Sequence, residues 1–213
     1  MAVANYHDLY GTMPPAYVAD ADGRPLHSWR VLLLPFLDQQ ELYQRYNFDE
    51  PWNGPNNRKL MPLRPGVYAL HDETSQQAQE TNYLAVVGRQ TAWPGSRAHK
   101  LGKQKTEGDQ PILVVENVGS GVSWLEPRDL QFDSMNMSVA ADSPSGISSR
   151  YQPPAVVTTD GTVLTLPLDM DPQTLRNRLL VTHQEPLERH PNVKIIDDGR
   201  DRPLRGSAKE TER

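Results

Sequence analysis

Two carboxylates beside a glycine are the first residues whose spacing suits a chemical role. Asp20, Asp22 and Gly23 lie in the segment ADADG, and alternating aspartates followed by glycine also open an EF-hand calcium loop. The tripeptide RPL comes next, where such a loop needs further oxygen ligands. Two interpretations therefore stay open: a β-turn held by its own aspartates, or a partial calcium site at Asp20 and Asp22. Calcium is the one cofactor that the sequence brings into question.

Three tryptophans, two in predicted loops and one in the predicted strand 121–127, are candidate ligand-binding residues. Trp52 lies in EPWNGPNN, Trp93 in TAWPG and Trp124 in GVSWLEP. Loop aromatics often carry recognition, because they bury a large apolar surface against a partner. We predict that Trp52, Trp93 and Trp124 contribute to such a surface. The alternative is that they cover the sheet as core residues.

Motifs of known enzyme classes are absent from the sequence. The chain has no cysteine, which excludes disulfides, cysteine-ligated zinc and thiol catalysis. It has neither the Gly-x-Ser-x-Gly segment of a serine hydrolase nor a glycine-rich phosphate loop. His7, His27 and His71 lack the spacing of paired metal ligands. Glu116 ends one hydrophobic predicted strand and Glu126 comes at the end of the next, where surface or capping roles suit them better than glycoside chemistry. We expect a protein that is not an enzyme.

Length, charge and composition indicate one domain followed by an irregular tail. The chain has 213 residues, a formal net charge of −5 and 37% hydrophobic residues. The mild acidity argues against nucleic acid as a partner, because nucleic-acid binders need a basic face. No segment reaches the ~18 consecutive apolar residues of a membrane span. We predict a folded domain over 1–182 and a charged, disordered tail over 183–213.

Hydrophobic periodicity and turn residues predict an α+β fold with an antiparallel sheet and long loops. Ser28 is a good N-cap for the second of three helices, and Pro35 should kink that helix. The pair Asp160-Gly161 signals a hairpin with a type I′ turn. The predicted helices are 1–10, 29–46 and 171–181, and the predicted strands are 67–70, 81–88, 111–118, 121–127 and the hairpin 155–167.

Several segments, in this order, resemble one family. They are the block NYHDLYGTMPPAYVADADGRPLHSWRVLLLPFLDQQELYQRYNFDEPWNGPNNRKL, then TNYLAVVG, TAWPG, ILVVENVGSGVSWLEPRDL and DGTVLTL. The sequence is similar to the domain of unknown function 1559 family, which is abundant in planctomycetes and sometimes labelled solute-binding-like. The first block is long and specific, and the resemblance extends over roughly 4–180.

The resemblance implies a pilin-like head, in which an antiparallel sheet packs against the end of an N-terminal helix. Family members usually begin with a prepilin-type cleavage and methylation helix, so 1–10 would be the last turns of that helix. The membrane would be reached only through the anchoring part, which this chain lacks. The location would be extracytoplasmic, in the periplasm or at the cell surface. The partners would be other pilin-like subunits or cell-surface components.

The chain departs from the family pattern at two places. It has ALHDE at 69–73 where members often have a Cys-Pro-Ser-Asp-like stretch, and RYQP at 150–153 where many have a His-Pro-Gly-Gly-type turn. The leading functional interpretation is a non-enzymatic pilin-like or pseudopilin-like structural protein. The alternative is an extracellular binding module that captures a small solute, a glycan or a surface protein through the loops 49–57, 89–108 and 128–152.

Overall fold

The computed structural model describes residues 2–70, 79–98, 100 and 110–181. The predicted tail, 183–213, lies outside the described residues. The fold is α+β, as the sequence predicts. The α-helices are α1 (Ala2–Tyr10), α2 (Trp29–Leu32), α3 (Gln40–Arg45) and α4 (Pro172–Leu179). The strands are β1 (Tyr17–Ala19), β2 (Pro25–Ser28), β3 (Tyr83–Val87), β4 (Ile112–Glu116), β5 (Leu130–Gln131), β6 (Val139–Ala140), β7 (Ile147–Ser148), β8 (Ala155–Thr158) and β9 (Val163–Thr165).

A five-stranded sheet in the order β5-β3-β4-β8-β9 is the centre of the structure. The pairs β3–β4, β4–β8 and β8–β9 are antiparallel, as predicted. The edge strand β5 instead runs parallel to β3, which the sequence did not indicate because β5 has only two residues. Two further pairs, β1–β2 and β6–β7, stand apart from this sheet.

The predicted helix 29–46 is broken into three short pieces rather than kinked. Ser28 caps α2, as predicted, because its hydroxyl accepts a hydrogen bond from the Arg30 amide. A single 3-10 turn, Leu34–Phe36, contains Pro35, which has no amide hydrogen to continue an α-helix. Asp38 then takes a positive φ of 57°, which reverses the chain direction before α3 begins.

Two predicted strands are wrong, and the predicted hairpin turn is of a different type. The segment 67–70 lies partly in a 3-10 turn, Gly66–Tyr68, and 121–127 contributes only an isolated bridge from Ser123 to Glu80. The β8–β9 hairpin is present, but among its turn residues only Gly161 has a positive φ, of 85°. A type I′ turn needs positive φ at both central residues, so the tip is a longer loop, closed by the Thr158 amide donating to the Thr162 carbonyl.

Each face of the sheet is packed against a different layer. On one face, Ala85, Val87 and Leu113 join a hydrophobic cluster formed with the N-terminal helices and their connecting turns. On the other face, the strand residues pack against the segment 130–150 and against Leu175 and Leu179 of α4. Helix α4 begins with Asp171 as its N-cap and Pro172 in its first turn, both as predicted.

Helix α1 ends as the sequence predicts and packs through aromatic side chains. Gly11 follows it with a φ of 75°, a conformation that stops a helix at little cost only for glycine. Tyr6 is 2% exposed, and its ring centroid lies 5.6 Å from that of Phe36. The helix is therefore held at the 3-10 turn Leu34–Phe36. No helix within the described ranges is long and apolar enough to cross a membrane.

A buried ion pair joins the helical layer to the sheet. The Arg30 side chain is 0% exposed and that of Asp129 is 2% exposed, and a guanidinium nitrogen lies 2.5 Å from Asp129 Oδ1. The same carboxylate accepts hydrogen bonds from the Ala85 amide, at 2.8 Å, and from the Trp29 indole, at 3.2 Å. Burial raises the pKa of Asp129, while Arg30 and the other donors act against that rise.

The Arg30 guanidinium is also hydrogen-bonded to neutral acceptors around it. Its Nε and one terminal nitrogen donate to the Tyr83 carbonyl at 3.1 and 3.0 Å. The other terminal nitrogen donates to the Ser28 hydroxyl at 3.0 Å and to the Glu126 carbonyl at 3.3 Å. A buried charge is tolerated when it is paired and its donors are satisfied, and both conditions hold for Arg30.

Breaking this pair should destabilise the whole domain. We expect Arg30→Met to lower the free energy of unfolding by about 3–5 kcal/mol, because it leaves the Asp129 carboxylate buried without its cation. Asp129→Asn should also be costly, because it leaves the guanidinium unpaired. Urea unfolding followed by circular dichroism measures both losses.

The double variant Arg30→Met/Asp129→Asn is the matched control. It removes both charges, while the side-chain amide introduced at position 129 keeps an oxygen for the Ala85 amide and the Trp29 indole. The two losses should therefore be strongly non-additive, and the double variant should lose less than their sum. Simple additivity would show that the two side chains are not coupled.

Candidate functional site

An open apolar groove lies between α1 and the outer half of the sheet. It has a volume of about 660 Å³. One wall is formed by Ala2, Val3 and Ala4 of the first helical turn, and the floor by residues of β4, β8 and β9. Trp29 and Tyr68 are among the residues that line it.

The groove exists because the helical layer covers only part of its face of the sheet. Side chains alternate between the two faces of a strand, and in β8 the buried Val156 belongs to the opposite core. Ala155 and Val157 alternate with it and are only half-buried. Val163 of β9 is 66% exposed and Val67, on the rim, is 53% exposed. Valines from two strands therefore form an apolar floor that faces solvent.

The polar groups of the groove are mainly carboxylates. Asp8, Glu116 and Asp160 all line it. Glu116 Oε2 accepts a hydrogen bond from the Ala155 amide at 2.8 Å. Burial, aided by the charge of Glu116, raises the pKa of Tyr83. A hydrogen bond from the Thr158 hydroxyl lowers the pKa of Asp160, so that carboxyl is ionised at neutral pH.

The tryptophans predicted as ligand-binding residues do not meet in one surface. Trp93 and Trp124 are both 0% exposed. The Trp93 indole donates to the Leu113 carbonyl at 2.6 Å and the Trp124 indole to the Met61 carbonyl at 3.0 Å. Both therefore lie in the core, which is the alternative that the sequence left open. Trp52 is half-buried and packs against the core from its loop. None of the three is in the groove lining.

The Asp20 and Asp22 carboxylates are paired with Arg24 rather than arranged around an empty site. Arg24 Nε lies 3.1 Å from Asp20 Oδ2, and a terminal guanidinium nitrogen donates to Asp22. Gly23 has a φ of 83°, so the segment is the tight turn between β1 and β2. Across the described part of the chain, no group of three His, Asp or Glu side chains could hold a metal ion.

The floor of the groove is the functional feature that the sequence interpretation missed. Its signal is present in the hairpin segment AVVTTDGTVLTL, where apolar residues stand on both faces of the strands. A hairpin with only one buried face shows polar residues at every second position. Val157 and Val163 break that rule, and the structure leaves both in the groove.

Comparison with known families gives one match. Residues 1–128 match the family described as Protein of unknown function (DUF1559). The chain belongs to this family. No curated protein and no solved structure matches the chain. The match covers α1, the helical layer and the strands β3 and β4 of this DUF1559 domain. The wall formed by α1 and the part of the floor formed by β4 therefore fall within the family region.

The two described histidines of this DUF1559 domain, His7 and His27, have different surroundings, and His71 lies outside the described residues. His7 lines the groove, with its Nδ1 atom 3.9 Å from an Asp8 carboxylate oxygen. His27 is 0% exposed and its Nδ1 atom lies 2.9 Å from the Tyr46 hydroxyl. Burial lowers the pKa of His27 to about 4, so the ring is neutral at pH 7. His27 is thus a core residue.

His27 should make the domain acid-sensitive. The unfolded chain takes up a proton near pH 6.5 and the folded protein only near the His27 pKa of about 4, so protonation favours unfolding between these values. From pH 6.5 down to 4 this one group should lower the free energy of unfolding by about 3 kcal/mol. Denaturant unfolding of the wild type and of His27→Gln across this range measures the difference in slope.

His7→Gln is the control, because it removes a histidine that is partly exposed rather than buried. If His27→Gln fails to fold, the ring resonances of His27 in the wild-type protein can be titrated by NMR. A ring that titrates near 6.5 would contradict the assignment.

Proposed function

We propose that this chain is a non-enzymatic, extracytoplasmic, pilin-like structural subunit whose groove receives a helix from a partner subunit. The observation that carries the proposal is the open apolar groove of about 660 Å³ beside α1. A helix laid in it would cover the part of the sheet that the domain's own helical layer leaves exposed. Such contact is favourable, because it removes apolar surface from water.

The shape of the groove favours a helix. Its floor is a twisted sheet surface of valine side chains, and amphipathic helices pack readily on such surfaces. Val157 and Val163 supply apolar contacts from two adjacent strands. Ala2 and Ala4, on the wall formed by α1, have short side chains that take up little of the groove. Small side chains allow another helix to approach closely. The resemblance to a family with pilin-like members supports the extracytoplasmic location and the choice of partner.

The chemistry of the groove supports a non-enzymatic role. Glu116 holds the amide of Ala155, and Asp160 holds the Thr158 hydroxyl and the Thr162 amide of its own turn. These hydrogen bonds stabilise the backbone of β8 and of its turn, so both carboxylates already have structural partners.

A small apolar solute is the second candidate occupant. A volume of about 660 Å³ falls within the range of ~300–1,000 Å³ that is usual for small-molecule sites. The aromatic rings of Trp29, Tyr68 and Tyr83 line one side of the groove. This candidate keeps the groove as the functional site and changes only its occupant.

Charged substitutions on the floor of the groove should prevent helix binding without unfolding the protein. An amphipathic 18-residue helical peptide with a leucine-rich face should shift the methyl NMR signals of Val114, Val157 and Val163 in the wild type. In the double variant Val157→Lys/Val163→Lys the remaining reporter, the Val114 methyl signal, should no longer shift, because lysine ammonium groups would have to be desolvated under the helix. Its melting temperature should change little, since Val163 is 66% exposed.

Leu168→Lys is the matched control, because Leu168 is 50% exposed and is not among the groove residues. It should bind the peptide as the wild type does. A peptide that leaves the groove methyls unshifted at millimolar concentration would overturn the proposal. If 1-decanol shifts them and no helical peptide does, the small-solute candidate replaces it.

A further inference from the structure

We propose that the groove selects a cationic amphipathic helix, one that carries lysine or arginine beside both ends of its apolar face. This inference rests on the proposed docking function and specifies the chemistry of the partner. Its basis is the distribution of charge around the apolar floor. The described residues that line the groove include Asp8, Glu116 and Asp160, and neither lysine nor arginine.

The carboxylates stand at opposite ends of the floor. Ile112, at the start of β4, pairs with Thr158 at the end of β8, next to the turn that carries Asp160. Glu116 lies four residues further along β4, beside Ala155. Four residues of strand span roughly 13 Å, which is the length of about nine residues of α-helix. Two cations at positions i and i+7 of a docked helix share one face and would approach the two ends.

Of the three carboxylates, Glu116 should attract a cation most strongly, because it is nearly buried. It is 8% exposed at the end of the apolar strand ILVVE. One oxygen accepts a hydrogen bond from the Ala155 amide, and no salt bridge within the described ranges neutralises its charge. A carboxylate with one such partner gains more from a cation than a fully solvated one does, since screening by water is weaker.

Asp8 and Asp160 provide negative charge at the rim. The Asp8 side chain is 82% exposed on the wall formed by α1. Asp160 lies at the tip of the β8–β9 hairpin, where its carboxylate accepts hydrogen bonds from the Thr158 hydroxyl and the Thr162 amide. Exposed carboxylates add little affinity each, but they repel an acidic helix or the anionic headgroup of a lipid. The rim therefore discriminates among ligands that the apolar floor alone would accept.

Three peptides of identical apolar face test the inference. Each is an 18-residue amphipathic helix, with lysine, glutamine or glutamate at positions i and i+7 beside that face. At low ionic strength the lysine peptide should bind at least about fivefold tighter than the glutamine peptide, and the glutamate peptide should bind most weakly. The lysine advantage should shrink in 0.5 M salt, because added ions screen the attraction between exposed charges beyond a few ångströms.

The triple variant Asp8→Asn/Glu116→Gln/Asp160→Asn is the matched protein control. Each change keeps a carbonyl oxygen in place, so the side chain at position 116 can still accept from the Ala155 amide and that at position 160 from the Thr158 hydroxyl and the Thr162 amide. The variant should bind all three peptides equally. Thermal unfolding checks that it is folded, and Glu116→Gln alone serves if the triple variant is not.

The outcomes separate the charge inference from the docking function. A lysine preference that disappears in the variant supports the inference. Equal binding of all three peptides to the wild type overturns it and leaves helix docking intact. If no peptide binds to either protein, the docking function itself is wrong and the inference falls with it.

Discussion

The contact between Arg30 and Asp129 is the constraint on which the rest of the domain depends. Through Arg30, this contact joins α2 to the strand β3, where the guanidinium donates to the Tyr83 carbonyl. It also joins α2 to Asp129, the residue just before β5. Asp129 in turn accepts from the Ala85 amide, which places β5 beside β3 in the parallel direction. One ion pair thus helps to fix both the helical layer over β3 and the parallel edge strand β5 beside it.

The placement of that layer explains the groove. Because α2 is anchored over β3, the aromatic packing of Trp29 against Trp93, at a centroid distance of 5.1 Å, covers the β3 side of the sheet. The strands β8 and β9 lie beyond its reach. Val157 and Val163 therefore lie on a face that the described helical layer does not cover, with the carboxylates of Asp8, Glu116 and Asp160 around it.

Local chemistry made much of the fold predictable. Ser28 and Asp171 cap helices, Gly11 ends one, and the valine-rich segments form β3 and β4, since each of these features is decided within a few neighbouring residues. Trp93 was assigned to a loop and Trp124 to a predicted strand that did not form, but the burial of both depends on the distant carbonyl groups of Leu113 and Met61. Contacts between residues far apart in the chain leave no local pattern, and Arg30 and Asp129 are 99 positions apart. The groove is a similar case, because α1 and the β8–β9 hairpin that form its two sides lie near opposite ends of the described sequence.

The open groove also governs how the isolated domain behaves in solution. A formal net charge of −5 keeps the molecules apart at pH 7, and the sequence pI is near 5.7. Around that pH the mutual repulsion vanishes, while the valines of β8 and β9 stay uncovered. Exposed apolar patches then drive association. The domain therefore relies on its acidic surface for colloidal stability, and mildly acidic buffers are where it should precipitate first.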